Sequence, residues 1–247
     1  MLRMLALAGT LAFGTAMALP AQSSGRLVRV YGDLTTADRV AIVVPGADTT
    51  VANFDHGVKR PGGAAKALLA ETAKVGHGER LAVVAWLGYD APPTWGLGAV
   101  TETAAVEGAK ALRRTITELR ERTAAPIALL CHSYGSVVCA KAAPGLPIAD
   151  MALVGSPGID ATSTHAPTGT RVWAGLGARD WIRYVPKTKL GPLGFGADAL
   201  TPGYGARAFE VGPGGHSDYF APGTASLRNL TLIALGRPND VSPALQA

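Results

Sequence analysis

The stretch IALLCHSYGSVVCAKAA, residues 127–143, changes character in its middle. Ile127-Ala128-Leu129-Leu130-Cys131 is an apolar run of the length that a strand buried on both faces requires. It gives way at once to His132-Ser133-Tyr134-Gly135-Ser136 and an alanine- and valine-rich helix that stops at Pro144-Gly145. This reads as strand, sharp turn, helix. A serine at the tip of such a turn stands above the sheet edge with a helix N-terminus beneath it, where developing negative charge is stabilised. Ser133 is therefore the candidate nucleophile; the plainer alternative is a serine that only caps a helix. The pattern departs from G-x-S-x-G in one place, with Cys131 where the first glycine would stand. Small residues are wanted on both sides of the serine because strand and helix backbones pass closely there, and cysteine is a modest step up in bulk.

Outward from this turn, apolar runs recur at 40–44, 81–86, 151–155, 172–175 and, less clearly, 206–211. Helical patterns lie between or after them, at 63–75, at 101–122 and, beyond the turn at Pro222-Gly223, at 226–235. In the clearest, Ala105, Ala109, Leu112, Ile116 and Leu119 recur at spacings of four, three, four and three, which lines one helical face. Strands alternating with helices predict an α/β fold with a mainly parallel central sheet and helices on both faces. With no internal repeat or linker, residues 19–247 read as a single domain. Residues 1–18 read as an export signal, with Arg3, an apolar run and Ala16-Met17-Ala18 as a small-x-small cleavage site. The expectation is a secreted or cell-envelope-associated protein without stable membrane insertion, because that run is short and interrupted.

In a sheet of this kind ligands bind beyond the carboxyl ends of the strands. After 40–44 comes Pro45-Gly46-Ala47-Asp48, a turn that directs the N–H of Ala47 toward the site; together with the N–H of Tyr134 it makes a two-donor oxyanion hole. An ordinary strand-ending turn is the plainer reading. After 81–86 comes Leu87-Gly88-Tyr89-Asp90-Ala91-Pro92-Pro93, a rigid aromatic loop that either walls a pocket or packs on the surface. Of the five histidines, His56, His77 and His165 sit in loops early or mid-chain and His132 is expected to turn away from its neighbour Ser133. His216 lies in the glycine-rich segment after the last strand and before the last helix, where the base of a serine nucleophile belongs in this order of elements. The orienting acid then falls between the two, and Asp180, just after 172–175, is better placed than Asp160 or Asp198. A carboxylate that only pairs with a surface arginine is the plainer alternative.

Composition narrows the remaining classes. Lys and Arg number 23 against 18 Asp and Glu, for a net charge of +5, but the basic residues are dispersed, which favours solubility or attraction to anionic polymers over nucleic-acid binding. There is no H-E-x-x-H, no close histidine pair and no C-x-x-C, so no metal is expected, and no phosphate or dinucleotide loop is present to imply a cofactor. The two cysteines, Cys131 and Cys139, are either a disulfide or a pair of buried thiols.

These residues also resemble, across most of the chain, an exported bacterial family of the α/β-hydrolase fold long catalogued as a domain of unknown function. The similarity rests on residues 31–40 running into Val43-Val44-Pro45-Gly46, on Trp86-Leu87-Gly88-Tyr89-Asp90, Cys131-His132-Ser133-Tyr134-Gly135-Ser136 and Gly155-Ser156-Pro157-Gly158. It continues through Val172-Trp173-Ala174, Ala178-Arg179-Asp180-Trp181 and His216-Ser217-Asp218-Tyr219-Phe220. The resemblance implies a triad of Ser133, Asp180 and His216, in agreement with the reading above, and supplies no substrate. The expected activity is hydrolysis of a small-molecule ester without a cofactor; the alternative is a binding or scaffold protein that keeps the fold without turnover. Little or no lid is expected. Residues 156–170 are poor in large apolar side chains, and the longer connection 176–205 is too rich in glycine and proline for a hinged helix. A modest pocket walled by 176–205 and 86–93, accepting short or medium acyl groups, follows.

Overall fold

The computed structural model describes residues 25–160 and 169–244; the expected export signal, residues 1–18, lies outside them. In chain order the elements are β1 (Leu27–Tyr31), β2 (Arg39–Val44), α1 (Pro61–Val75), β3 (Leu81–Leu87), α2 (Thr103–Arg122), β4 (Ile127–His132), α3 (Tyr134–Ala142), β5 (Asp150–Val154) and β6 (Arg171–Gly175). A small hairpin of β7 (Lys189–Leu190) and β8 (Leu193–Gly194) follows, then β9 (Arg207–Ala208) and α4 (Ala225–Ala234). Seven strands form one sheet in the order β1-β3-β2-β4-β5-β6-β9. Every pairing in it is parallel except that of β1 with β3.

The apolar runs become the central strands because both faces of the sheet are covered. From Val40 to Val44 and from Ile127 to Cys131 every residue is buried, so no alternation of polar and apolar positions is needed. Helix α2 packs on α3 and α1 on α4. The five apolar residues spaced along α2 are all on its buried stripe. Helix α3 is buried nearly throughout, which explains why its sequence lacks a polar face.

Two strands of the main sheet differ from the sequence expectation. Strand β1 was not expected: in LVRVY, Leu27, Val28, Arg29 and Tyr31 are only partly buried, and a half-exposed edge strand with a central arginine has no continuous apolar run. The segment 206–211 is strand only at Arg207–Ala208. Beyond it the backbone leaves the sheet for a C-terminal segment, with Phe209 bridged to Pro243 and the Glu210 N–H donating to the Ser242 carbonyl at 2.9 Å.

Strand register fixes where the site forms. Val44 lies opposite Cys131, His132 opposite Val154, and Val154 opposite Gly175, so four parallel strands end in line and their following loops meet at one edge. The connection from β6 to β9 carries short 3-10 turns and the hairpin, with no α-helix. It is fastened to the body by Lys189 Nζ, 3.0 Å from Glu102 and 3.1 Å from Asp160, and by an antiparallel bridge between Ile159 and Ala197; Lys187 paired with Asp198 at 2.7 Å braces it internally. It is a pinned wall, in keeping with a fold of little or no lid.

Candidate active site

Ser133 occupies the turn between β4 and α3 with φ 54° and ψ −127°, a conformation that non-glycine residues avoid. The strain is held by the surroundings: the Ser133 N–H donates to the Val154 carbonyl at 2.9 Å, and the Ser136 N–H donates to the Ser133 carbonyl at 2.8 Å. Two glycines make the turn possible. A Cβ on Gly135 would come within 2.5 Å of the Val44 carbonyl oxygen, and one on Gly46 within 2.5 Å of Ser133 Cβ, so β2, its following loop and the turn are packed backbone to backbone. Cys131 is tolerated where a glycine is usual because its side chain is directed into α3, where it forms a disulfide with Cys139, and both residues are fully buried. That settles the choice between bridge and thiols.

His216 and Asp180 reach Ser133 from two loops that are tied to each other. The Ala178 N–H donates to the Gly212 carbonyl at 3.1 Å, and the Arg179 N–H to the Gly214 carbonyl at 3.3 Å. His216 Nε2 is 2.8 Å from Ser133 Oγ, and His216 Nδ1 is 2.9 and 3.0 Å from the two Asp180 oxygens. A carboxylate only accepts, so Nδ1 carries the proton and Nε2 is left to accept from the serine hydroxyl. Asp180 is fully buried, and its Oδ1 also accepts from the Ile182 N–H at 2.9 Å. Burial pushes its carboxyl upward, but hydrogen bonds from His216, Tyr219 and Ile182 together hold it below the ordinary carboxylate range. The competing carboxylates are engaged elsewhere, Asp198 with Lys187 and Asp160 with Lys189. His165 lies outside the described residues.

Two supporting side chains were not singled out from the sequence. Tyr219 donates its hydroxyl to Asp180 Oδ2 and accepts the Gly177 N–H at 3.2 Å, so it fixes both Asp180 and the loop before it. Burial first, then the adjacent carboxylate, raises the Tyr219 phenol far above its usual range and keeps it a donor. His132 does not face the serine; its ring packs 4.9 Å from that of His216, and its Nε2 lies 2.7 Å from the His216 carbonyl oxygen. The carbonyl can only accept, which assigns the Nε2–H tautomer. Burial, then the neighbouring His216, lowers the His132 imidazole to about 3, so it remains a neutral prop for the His216 loop. The only sequence signals for these roles were an aromatic three residues after His216 and a histidine in the turn itself.

Ala47 and Tyr134 both line the cavity beside Ser133, and among the described residues neither N–H has a hydrogen-bond partner. The side chain of Tyr134 points back into the fold, where its hydroxyl donates to the Thr101 carbonyl at 2.7 Å and accepts the Ala105 N–H at 3.1 Å. The cavity has a volume of about 430 Å³ and is chiefly apolar, with Trp181, Ile182, Val185, Leu193 and Phe195 forming much of its wall. This is the 176–205 wall that the composition pointed to. The second expected wall, 86–93, does not line the cavity. Trp86 is buried in the core with its Nε1–H donating to Thr115 Oγ1 at 3.1 Å, and the Tyr89 hydroxyl donates to the Pro45 carbonyl at 2.8 Å. Their polar handles are satisfied inside the protein, and the following residues Thr94, Trp95, Ala99 and Val100 line the cavity instead.

A family model described as alpha/beta hydrolase matches residues 20–190, a span that contains Ser133 and Asp180 and stops short of His216. An uncharacterized protein of Mycobacterium tuberculosis, Rv2079, is 28% identical over 252 residues, covering 86% of this chain and 37% of the relative. A second from the same organism, Rv0963c, is 35% identical over 142 residues, covering 53% of this chain and 52% of the relative. The chain thus spans about a third to a half of these relatives' length. Among solved structures, a carboxylesterase from Mesorhizobium loti superposes with a TM-score of 0.55 at 16% identity, over 90% of this chain and 99% of that one. A Xanthomonas campestris protein described as a member of the a/b serine hydrolases without lid gives 0.51 at 15% identity, over 92% and 96%. At such identities the likeness is one of fold.

Proposed function

The chain belongs to the α/β-hydrolase family, and from that premise we propose that it is an exported serine hydrolase, a carboxylesterase for short or medium acyl esters. The observation that carries the reading is the unbroken line of hydrogen bonds from Ser133 Oγ through His216 to Asp180, opening on an apolar cavity. In the first step Ser133 Oγ attacks the ester carbonyl while His216 Nε2 takes the hydroxyl proton. The tetrahedral oxyanion faces the N–H groups of Ala47 and Tyr134. As the intermediate collapses, the carbon–oxygen bond to the alcohol breaks and His216 returns its proton to the departing oxygen. Water, deprotonated by His216, then attacks the acyl-serine, and the acid leaves as Ser133 regains its proton. Asp180 holds the imidazole in the required tautomer throughout and carries no proton itself.

Cavity size supports the acyl range, since about 430 Å³ is at the small end of ligand pockets, which run from roughly 300 to 1,000 Å³. Export is supported by the leader-like residues 1–18 and by the buried disulfide, a bond that persists in oxidising compartments. The test is hydrolysis of 4-nitrophenyl esters from acetate to palmitate by the wild type and by Ser133→Ala. Catalytic efficiency is expected to peak at a short or medium chain and to vanish in the variant, with the fold intact by circular dichroism. Undiminished hydrolysis by folded Ser133→Ala would refute the nucleophile, and a maximum at palmitate would refute the acyl range.

A further inference from the structure

The nucleophile borders a second recess. A cleft of about 70 Å³ shares Ala47, Thr94 and Ser133 with the apolar cavity, but it is also lined by His216, Ser217, Asp48, Lys59 and Arg60. The base lines this recess and does not line the apolar one. In acyl transfer the base must protonate the departing oxygen, so the alcohol leaves on the side where His216 is exposed and the acyl chain occupies the other. The leaving-group side is therefore the small, polar one.

Arg60 is the distinctive group there. It is partly buried at the start of α1, and its Nη1 donates to Thr49 Oγ1 at 2.9 Å and to the Ala47 carbonyl at 3.3 Å. Both acceptors are neutral. Among the described residues the N–H groups on Nε and Nη2 have no protein partner, and no carboxylate lies within ion-pair distance of Arg60 or Lys59. Asp48, the one acid lining the cleft, accepts from the Thr94 N–H at 2.9 Å and the Thr94 hydroxyl at 2.6 Å, and its charge acts on Arg60 and Lys59 without a direct ion pair to either. An arginine positioned by neutral groups, with its remaining donors uncommitted and a lysine adjacent in sequence, is arranged to receive an anion from outside.

Resting on the serine-hydrolase reading, we infer that this cleft is a leaving-group subsite for anionic oxygens, so the preferred substrates are esters of an alcohol that bears a carboxylate or a phosphate. The acyl chain enters the apolar cavity, the carbonyl sits at Ser133, and the anionic group of the alcohol meets Arg60 and Lys59. The volume admits one small charged group.

Two matched pairs of butanoate esters test this and separate the sources of the anion. The first is 4-butanoyloxy-3-nitrobenzoate against 2-nitrophenyl butanoate; the second is the butanoyl ester of glycerol 3-phosphate against that of glycerol. The readout is the ratio of kcat/KM, anionic over neutral, at low ionic strength. Arg60 also touches the Ala47 carbonyl, but a disturbed oxyanion hole slows both members of a pair and cancels in the ratio. The wild type is expected to favour the anionic member of at least one pair by about tenfold or more, as a charge-assisted contact supplies. Arg60→Gln should remove most of that preference, Arg60→Lys should restore part of it, and Lys110→Gln on the exposed face of α2 should leave it as in the wild type. Preference in one pair alone identifies the anion as carboxylate or phosphate. A ratio near one in both wild-type pairs, or a preference that survives Arg60→Gln, would overturn the inference. In either case Ser133-dependent hydrolysis of the neutral esters would leave the hydrolase reading standing, whereas its absence would bring down that reading itself.

Discussion

Asp180 shows how much one side chain's surroundings decide. Three donors converge on its carboxylate, from His216, Tyr219 and the Ile182 N–H, in a place with no solvent. Those bonds outweigh the cost of burial and keep it ionised, which is what the Nδ1–H tautomer of His216 requires. Asp180→Asn replaces an acceptor with a group that can also donate, so the imidazole is stabilised with its proton on the wrong nitrogen. Turnover is expected to fall by about four orders of magnitude with the fold retained. Asp198→Asn, which weakens the ion pair with Lys187 and leaves an oxygen to accept the Leu200 N–H, should change it little. Steady-state kinetics of the two purified variants checks the ranking, and the reverse order would show the wrong carboxylate had been chosen. Ser133, Asp180 and His216, which the structure brings within hydrogen-bond reach of one another, could be singled out because each follows, in chain order, an element boundary marked by composition. Tyr219, His132 and Arg60 were not, because what they touch depends on loops far apart in sequence, and no spacing within one segment reports it.

At the level of elements, the turn between β4 and α3 is stapled. The Cys131–Cys139 bridge joins residues eight apart in sequence around the strained Ser133 and ties the end of a central strand to its helix, with both cysteines buried in the core. Joint replacement by alanine is expected to cost about 2–3 kcal/mol through the released loop entropy. For a chain of this size that is about 5–10 °C in Tm, measured by thermal unfolding in the absence of reductant. An unchanged Tm would mean that packing alone holds the turn. The central strands and all four helices were legible because burial on both faces of the sheet leaves continuous apolar runs, and half-burial of α2 leaves a helical stripe. Strand β1 was not, since an edge strand packed on one side carries no such run. The misassigned wall at 86–93 has a related cause. Aromatic residues near a strand end look like a pocket rim, yet Trp86 and Tyr89 stack at 5.8 Å and Tyr89 on Tyr134 at 6.2 Å, which carries the core up to the nucleophile helix.

For the molecule as a whole, the sheet edge acts as a fixed platform on which two unlike recesses meet at one serine. The apolar recess is bounded by a connection that ion pairs and a β-bridge tie to the body of the fold. The smaller recess carries His216 and Arg60, whose Nε and Nη2 groups have no partner among the described residues. Everything in this arrangement depends on Ser133 being a nucleophile activated by His216. The most direct measurement is the intact mass of the protein after incubation with a fluorophosphonate, followed by peptide mapping. One adduct per chain, located on Ser133, is expected in the wild type, with strongly slowed labelling in His216→Gln and none in Ser133→Ala. Labelling at another residue, or no adduct on a folded protein that still hydrolyses esters, would contradict the assignment.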